Sequence, residues 1–181
     1  MNQRDAVALI ARAVGSTRGT WADLGAGSGT FTLALASLLD TDSQVLAVER
    51  DEHAIAALRD AARHAVHHAR ILPVRGDFTA PLDLPALDGA LLANSLHYIA
   101  YEDQATVLTS IIGRLRPQGR VILVEYENRA PNRWVPFPIS LARFSELATS
   151  VGLAAPTRVG ERQSRYGATM YAAFTQVDAA R

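Results

Sequence analysis

Apolar and polar positions along the chain fall into two alternating rhythms. Short, nearly unbroken apolar runs at Thr20–Leu24, Gln44–Val48, Ala69–Val74, Asp88–Ala93 and Arg120–Tyr126 predict strands buried on both faces. Segments with helical spacing separate them. Asp5–Val14 sets Ala6, Val7, Leu9, Ile10, Ala13 and Val14 on such spacing, with Gly15 as its C-cap. Thr30–Leu39, Asp51–Ala65 and Asp103–Leu115 read the same way, the last ended by Pro117 and Gly119. After the fifth strand the rhythm changes: Glu127–Pro138 is polar, aromatic and proline-rich, and Ile139–Val151 is helical. Two last strands, near Thr157–Arg162 and Thr169–Thr175, are joined by only a few residues around Tyr166 and Gly167. A parallel pair needs a crossover of a dozen residues or more, so these two run antiparallel. The pattern predicts an α/β fold: a doubly wound, seven-stranded, Rossmann-like sheet, mostly parallel with a C-terminal antiparallel hairpin, and helices on both faces.

Composition narrows the chemistry. The 181 residues suit one domain, 1–181, with a covering helix at about residues 4–15 and no appended recognition domain. Net charge is zero, so no basic excess points to a duplex nucleic acid. Cysteine is absent, and all 18 basic residues are arginine. That removes disulfides, thiolate metal sites, Schiff-base chemistry and the phosphate-binding lysine of nucleotide triphosphatases. Arg4, Asp5 and Arg12 interrupt the first helix, which does not read as a secretory signal. The longest uncharged stretch, Leu24–Leu39, is too short and glycine-broken to span a bilayer. The expectation is a cytoplasmic protein with no membrane partner. His64, His67 and His68 have helical i, i+3, i+4 spacing but lie far from the glycine loop, and read as a solvated helix face rather than a metal site.

The chemistry concentrates where the first strand meets the following helix, at Trp21-Ala22-Asp23-Leu24-Gly25-Ala26-Gly27-Ser28-Gly29-Thr30. Glycines there permit positive φ and close approach of a ligand. Their spacing is G-x-G-x-G; the dinucleotide fingerprint G-x-G-x-x-G would need its third glycine where Thr30 stands. Asp23 points a carboxylate at the same crevice, which repels a pyrophosphate and attracts an ammonium or sulfonium. These residues resemble motif I of the class I S-adenosylmethionine-dependent methyltransferases: an acidic residue, a variable one, then alternating glycines. The terminal hairpin matches that family too.

In open parallel sheets ligands sit beyond the C-terminal strand tips. Glu49 ends the second strand, placed to accept from both hydroxyls of a ribose; Arg50 beside it reads as a salt-bridged arginine rather than a 2′-phosphate ligand. Gly76-Asp77-Phe78 follows the third strand, and the resemblance implies that Asp77 accepts from the adenine amino group while Phe78 stacks on the ring. Asn94 after the fourth strand is a candidate for the methionine portion or the acceptor. The expected cofactor set is Asp23, Gly25, Ala26, Gly27, Gly29, Glu49, Arg50, Asp77, Phe78 and Asn94, around S-adenosylmethionine, with S-adenosylhomocysteine as product.

The reacting groups are expected after the fourth and fifth strands. Asn94-Ser95-Leu96-His97-Tyr98 lacks the Asn/Asp-Pro-Pro-Tyr/Phe motif of base-methylating enzymes and resembles an Asn-x-x-His variant of small-molecule methyltransferases. His97 is the candidate general base, with Tyr98 and Tyr126 beside it; its bland alternative is packing against Tyr98 and Tyr101. Arg129, Arg133, Trp134 and Phe137, in a loop with Pro131, Pro136 and Pro138, suit an acceptor wall, with Arg129 and Trp134 alongside His97 as the acceptor-binding candidates. Arg162, Arg165 and Tyr166 near the hairpin are further residues for that mouth. The expected function is methyl transfer to a small-molecule acceptor. Its alternatives are a protein or RNA methyltransferase acting with a partner, a non-catalytic cofactor-binding scaffold, and a nucleotide-dependent oxidoreductase.

Overall fold

The computed structural model describes residues 1–15, 18–164 and 167–177. Arg165 and Tyr166 lie outside the described residues. Strands β1 (Thr20–Leu24), β2 (Gln44–Glu49), β3 (Arg70–Arg75), β4 (Leu87–Ala93), β5 (Leu115–Glu127), β6 (Thr157–Gln163) and β7 (Thr169–Gln176) form one sheet in the order β3-β2-β1-β4-β5-β7-β6. The first five pair in parallel, and β7 runs antiparallel to both β5 and β6. This is the mostly parallel seven-stranded sheet with a terminal hairpin that the apolar rhythm predicts. Strand order reverses between β1 and β4, so a crevice opens there at the C-terminal edge.

Helices α1 (Gln3–Val14), α2 (Thr30–Leu38), α3 (Glu52–His64), α4 (Gln104–Ile112) and α5 (Leu141–Ser150) cover the two faces. Alternation along the strands decides which face each side chain joins. Trp21 packs with Leu9, Ile10 and Leu35 of α1 and α2, whereas Ala22 and Leu24 join Leu108 and Phe144 of α4 and α5. Asp23 shares the parity of Trp21 and is thereby delivered to α2. Side chains cap most helices: Asn2 accepts from Asp5 N, Asp51 from Ala54 N and Ser140 from Arg143 N. Helix α2 differs, because Gly29 stands at its N-cap and supplies no side-chain acceptor.

Two local expectations change. Helix α4 stops at Ile112 instead of reaching Leu115. Leu115 continues the helical spacing of Ile111, but its backbone pairs with Leu87 of β4, and Leu87 N donates to Arg114 O at 2.8 Å. The register then jumps to Gly89 and Arg120, with Pro117–Gly119 bulging between. Sheet pairing overrides local propensity there. Helix α3 ends at His64, so His67 and His68 do not share its face; the His67 ring bonds Ala62 O and Ala69 O and closes the turn into β3. No metal-ligating group of three side chains occurs among the described residues. None of their helices is long and apolar enough to cross a membrane.

Candidate functional site at the strand tips

The glycine loop sits at the point where strand order reverses. Gly25 N and Ala26 N both donate to Val48 O, at 2.9 and 3.0 Å, tying the loop to the tip of β2. Gly25 has φ 81°, and a Cβ there would lie 2.6 Å from Ser95 Cβ. Gly27 has φ 54°, and a Cβ there would meet nothing within 4 Å. A side chain at Gly25 would collide with protein; one at Gly27 would project into the space above the loop. Gly29 ends the loop as the α2 N-cap, leaving the first helical amides without a side-chain partner.

Two cavities flank this loop and share Gly25, Gly27 and Asn94. The smaller, about 290 Å³, lies over β2 and β3 and is lined by Glu49, Arg50, Asp77, Phe78, Ser95 and Tyr98. The larger, about 750 Å³, lies over β1, β4 and β5, bordered by Asp23, Ala26, Phe31 and Tyr126 and roofed by Met1, Asn2 and Asp5 of the N-terminal segment and Arg162, Gln163 and Ser164 of the hairpin.

Glu49 is held by three backbone amides. Its Oε2 accepts from Gly27 N at 2.8 Å, and its Oε1 from Arg50 N and Asp51 N at 2.8 and 3.0 Å. Three of the four lone pairs of the carboxylate are thereby used, both on Oε1 and one on Oε2, and Oε2 keeps one for a ligand hydroxyl. Asp77 accepts from Thr79 N and Thr79 Oγ1 and pairs with Arg50 at 3.3 Å. The Thr79 bonds, with help from Arg50, hold its carboxyl below the usual range. Arg50 therefore pairs with Asp77 rather than with Glu49 beside it.

Asp23 is 1 % exposed. One oxygen accepts from Thr32 Oγ1 of α2 at 2.6 Å; the other, Oδ1, is buried without a hydrogen-bond partner. Burial is the main cause that lifts its pKa to about 7, against the Thr32 bond and with the charge of Glu49 adding to the rise. The sequence suggests a permanently anionic Asp23, whereas the fold holds it near half-protonation at neutral pH. Asn94, in the left-handed region at φ 55°, likewise leaves its Oδ1 buried and unpartnered, as does Ser95 its Oγ. Such orphaned acceptors are costly unless a donor arrives. Together with the bare space over Gly27 they fit a cationic nucleoside whose amino group donates.

The tip of β5 carries the other buried acid. Glu125 is fully buried, and its Oε2 lies 2.6 Å from His97 Nδ1. Its Oε1 accepts from His97 N at 3.3 Å. Burial raises the Glu125 carboxyl above its ordinary range, while the His97 ring works the other way. His97, 2 % exposed, lies on a single 3₁₀ turn, Leu96–Tyr98, and Phe137 N donates to its carbonyl at 3.0 Å. The imidazole touches the rings of Tyr98 and Tyr126, with centroids at 4.5 and 6.3 Å. Tyr98 borders the smaller cavity and Tyr126 the larger; His97 borders neither.

The aromatic loop after β5 lies beside the site rather than around it. Trp134 is 62 % exposed with Arg133 stacked over its ring at 4.6 Å, and lines neither cavity. Arg129 covers the Tyr126 ring at 4.9 Å and touches the larger cavity only through that ring. Phe137 packs edge-on against Tyr101.

With this geometry in view, a family model described as a methyltransferase domain matches residues 22–119, more than half of the chain. The chain belongs to the methyltransferase domain family. Comparison with curated proteins gives no match. Solved structures agree on the fold. The YcgJ protein of Bacillus subtilis is similar with a TM-score of 0.72 and 12 % identity, over 97 % of this chain and 99 % of that one. Magnesium protoporphyrin IX methyltransferase of Synechocystis, solved with bound S-adenosylmethionine, gives 0.73 and 16 %, over 97 % and 79 %. The 1,6-didemethyltoxoflavin N1-methyltransferase of Burkholderia thailandensis, solved with its substrate and S-adenosylhomocysteine, gives 0.72 and 21 %, over 97 % and 78 %.

Sequence reasoning about this methyltransferase missed several residues of the site. Thr32 escapes notice because a threonine in a first helical turn is ordinary; only strand parity could have aimed Asp23 at it. Glu125 follows the buried run Val121–Val124, and an acid continuing such a run needs a partner, but His97 lies 28 positions away. The covering helix and Arg162 are expected near this mouth, but not the Asp5–Arg162 pair that joins them, which spacing cannot show.

Proposed function

We propose that this methyltransferase moves the methyl group of S-adenosylmethionine onto a small-molecule acceptor. One observation carries the reading: two cavities meet at Gly25, Gly27 and Asn94, the smaller faced by Glu49 and Asp77 and the larger bordered by Asp23, whose Oδ1 is buried with no hydrogen-bond partner. The similar Synechocystis and Burkholderia enzymes, which act on a porphyrin and a toxoflavin precursor, support a small acceptor.

In this reading Glu49 takes a ribose hydroxyl on the one lone pair of Oε2 that its three amides leave. Asp77 and Phe78 take the adenine edge and face, with Arg50 fixing Asp77. Asp23 and Asn94 accept from the ammonium, Gly25, Ala26 and Gly27 let the chain approach, and the uncapped start of α2 at Gly29 suits the carboxylate. When bound, the cofactor supplies an activated methyl on a positively charged sulfur, open to in-line attack. What remains for the protein is to orient the acceptor and exclude water. Tyr126 borders the acceptor space and is the group placed to meet the acceptor's proton; Tyr98 closes the neighbouring cavity. His97, anchored by Glu125 between the two rings, sets their position and is the base candidate only through them. Arg129 stiffens Tyr126, and Trp134 forms an outer rim.

Calorimetry with S-adenosylmethionine, S-adenosylhomocysteine and NAD, on wild type and Glu49→Ala, tests the reading. The two adenosyl compounds bind wild type, and the variant loses roughly 1–3 kcal/mol, the scale of charge-assisted hydrogen bonds. Heat from NAD alone would end it.

A further inference from the structure

The roof of the larger cavity carries a charge that the cofactor reading leaves unused. Arg162 of β6 lines this cavity and pairs through Nη1 with Asp5 of α1, which lines it too. The pair joins α1 to the hairpin across the mouth. A guanidinium has five N–H donors in a rigid fork, and Asp5 engages only one arm of it. The side chain remains 44 % exposed while Asp5 is 26 % exposed, so the open side belongs to the arginine. The hydrogen bond from Arg162, with its charge helping, draws down the Asp5 carboxyl, which keeps the partner ionised and the fork oriented. The register sets Arg162, Met170 and Tyr126 side by side in one row across β6, β7 and β5, and with Phe31 the last two line the same cavity, a surface for a flat apolar body. The cationic end of the cofactor already has Asp23 on the floor, so a second cation is not what the roof lacks.

Building on the cofactor reading above, we propose that the acceptor is a flat, carboxylate-bearing small molecule whose carboxylate docks on the free edge of Arg162 while its body lies on Phe31, Tyr126 and Met170. Asp5 is a positioning residue: it holds one edge of the fork so that the other stays presented. The anion sits at the β6 edge of the sheet and the reacting atom near the glycine loop between β1 and β4, which places the nucleophile at the opposite end of the acceptor from its carboxylate.

Three probes of one shape separate the possibilities: 2-naphthoate, 2-naphthamide and 2-naphthylmethylamine, titrated by fluorescence into protein saturated with S-adenosylhomocysteine. The expected order is naphthoate at least tenfold tighter than the amide, and the amine weakest. Arg162→Gln removes the advantage of naphthoate over the amide and leaves binding of the amide and of S-adenosylhomocysteine unchanged; Arg162→Lys, keeping charge without the fork, restores part of it. Equal binding of naphthoate and amide by wild type, equal losses for both in Arg162→Gln, or preference for the amine (which makes Asp5 the recognition group) each overturn the proposal. Failure of wild type to bind S-adenosylhomocysteine at all removes the cofactor reading, and this inference with it. Binding of that compound with no charge preference among the probes removes this inference alone.

Discussion

The tips of β1 and β5 each bury a carboxylate, and the two are completed differently. Glu125 has both oxygens engaged by one residue, the ring and the backbone amide of His97. Asp23 has one oxygen on Thr32 and the other buried with no partner, and the residue borders the larger cavity. Both sit where desolvation opposes charge. A closed acid is a clasp, holding the 3₁₀ turn at Leu96–Tyr98 against β5. An open acid is a receptor, whose cost in the empty protein is recovered when a donor arrives. The same side-chain chemistry is thus closed off at one tip and left with an unpartnered oxygen at its neighbour.

Breaking the clasp has the largest expected effect. Glu125→Ala leaves His97 buried without its partner, which costs about 3–5 kcal/mol and lowers the melting temperature by about 10 °C; an unchanged melt would show the clasp to be idle. His97→Ala tests the chemical side of the same tip. It is expected to keep S-adenosylhomocysteine affinity while slowing turnover by roughly a hundredfold, and unchanged turnover would make His97 purely structural.

The open acid predicts the reverse pattern, less in folding and more in binding. Asp23→Asn loses roughly 1.5–3 kcal/mol of S-adenosylmethionine affinity at pH 8. Because the folded pKa of Asp23, about 7, lies above the unfolded value of 3.8, the native state binds the extra proton between them. Stability from this group is therefore full below about pH 4 and is lost as pH rises to about 7. Melts from pH 5 to 8 should show wild type falling relative to Asp23→Asn across that window. A bound cation favours the ionised form, so wild-type affinity climbs with pH up to about 7 and then levels, with roughly half a proton released per ligand at pH 7. A pH-independent wild type would remove Asp23 from the site. The smallest effect belongs to Arg50→Ala, whose exposed pair with Asp77 is worth under about 1 kcal/mol in a melt.

Much of this protein was legible in one dimension. Near-continuous apolar runs, the helical spacing between them and the short link before the last strand determined the strand types and the terminal hairpin, because period and connection length are local properties. The alternating glycines with Asp23 ahead of them, and the acids at Glu49 and Asp77, marked the cofactor half for the same reason: its residues lie close to strand ends, and their bonds are mostly to neighbours in sequence. Tertiary structure alone decided where α4 gave way to β5, since only the edge of β4 offered Leu115 a backbone partner. It also decided which acids are closed or open, by bringing Thr32 to Asp23 and His97 to Glu125, and its burial of both carboxyls raised them above their ordinary pKa range against those partners. The border of the larger cavity where Asp5 and Arg162 are drawn together from opposite ends of the chain exists only once the sheet has formed. Burial and long-range pairing set charge state and access, and neither is written in the order of residues.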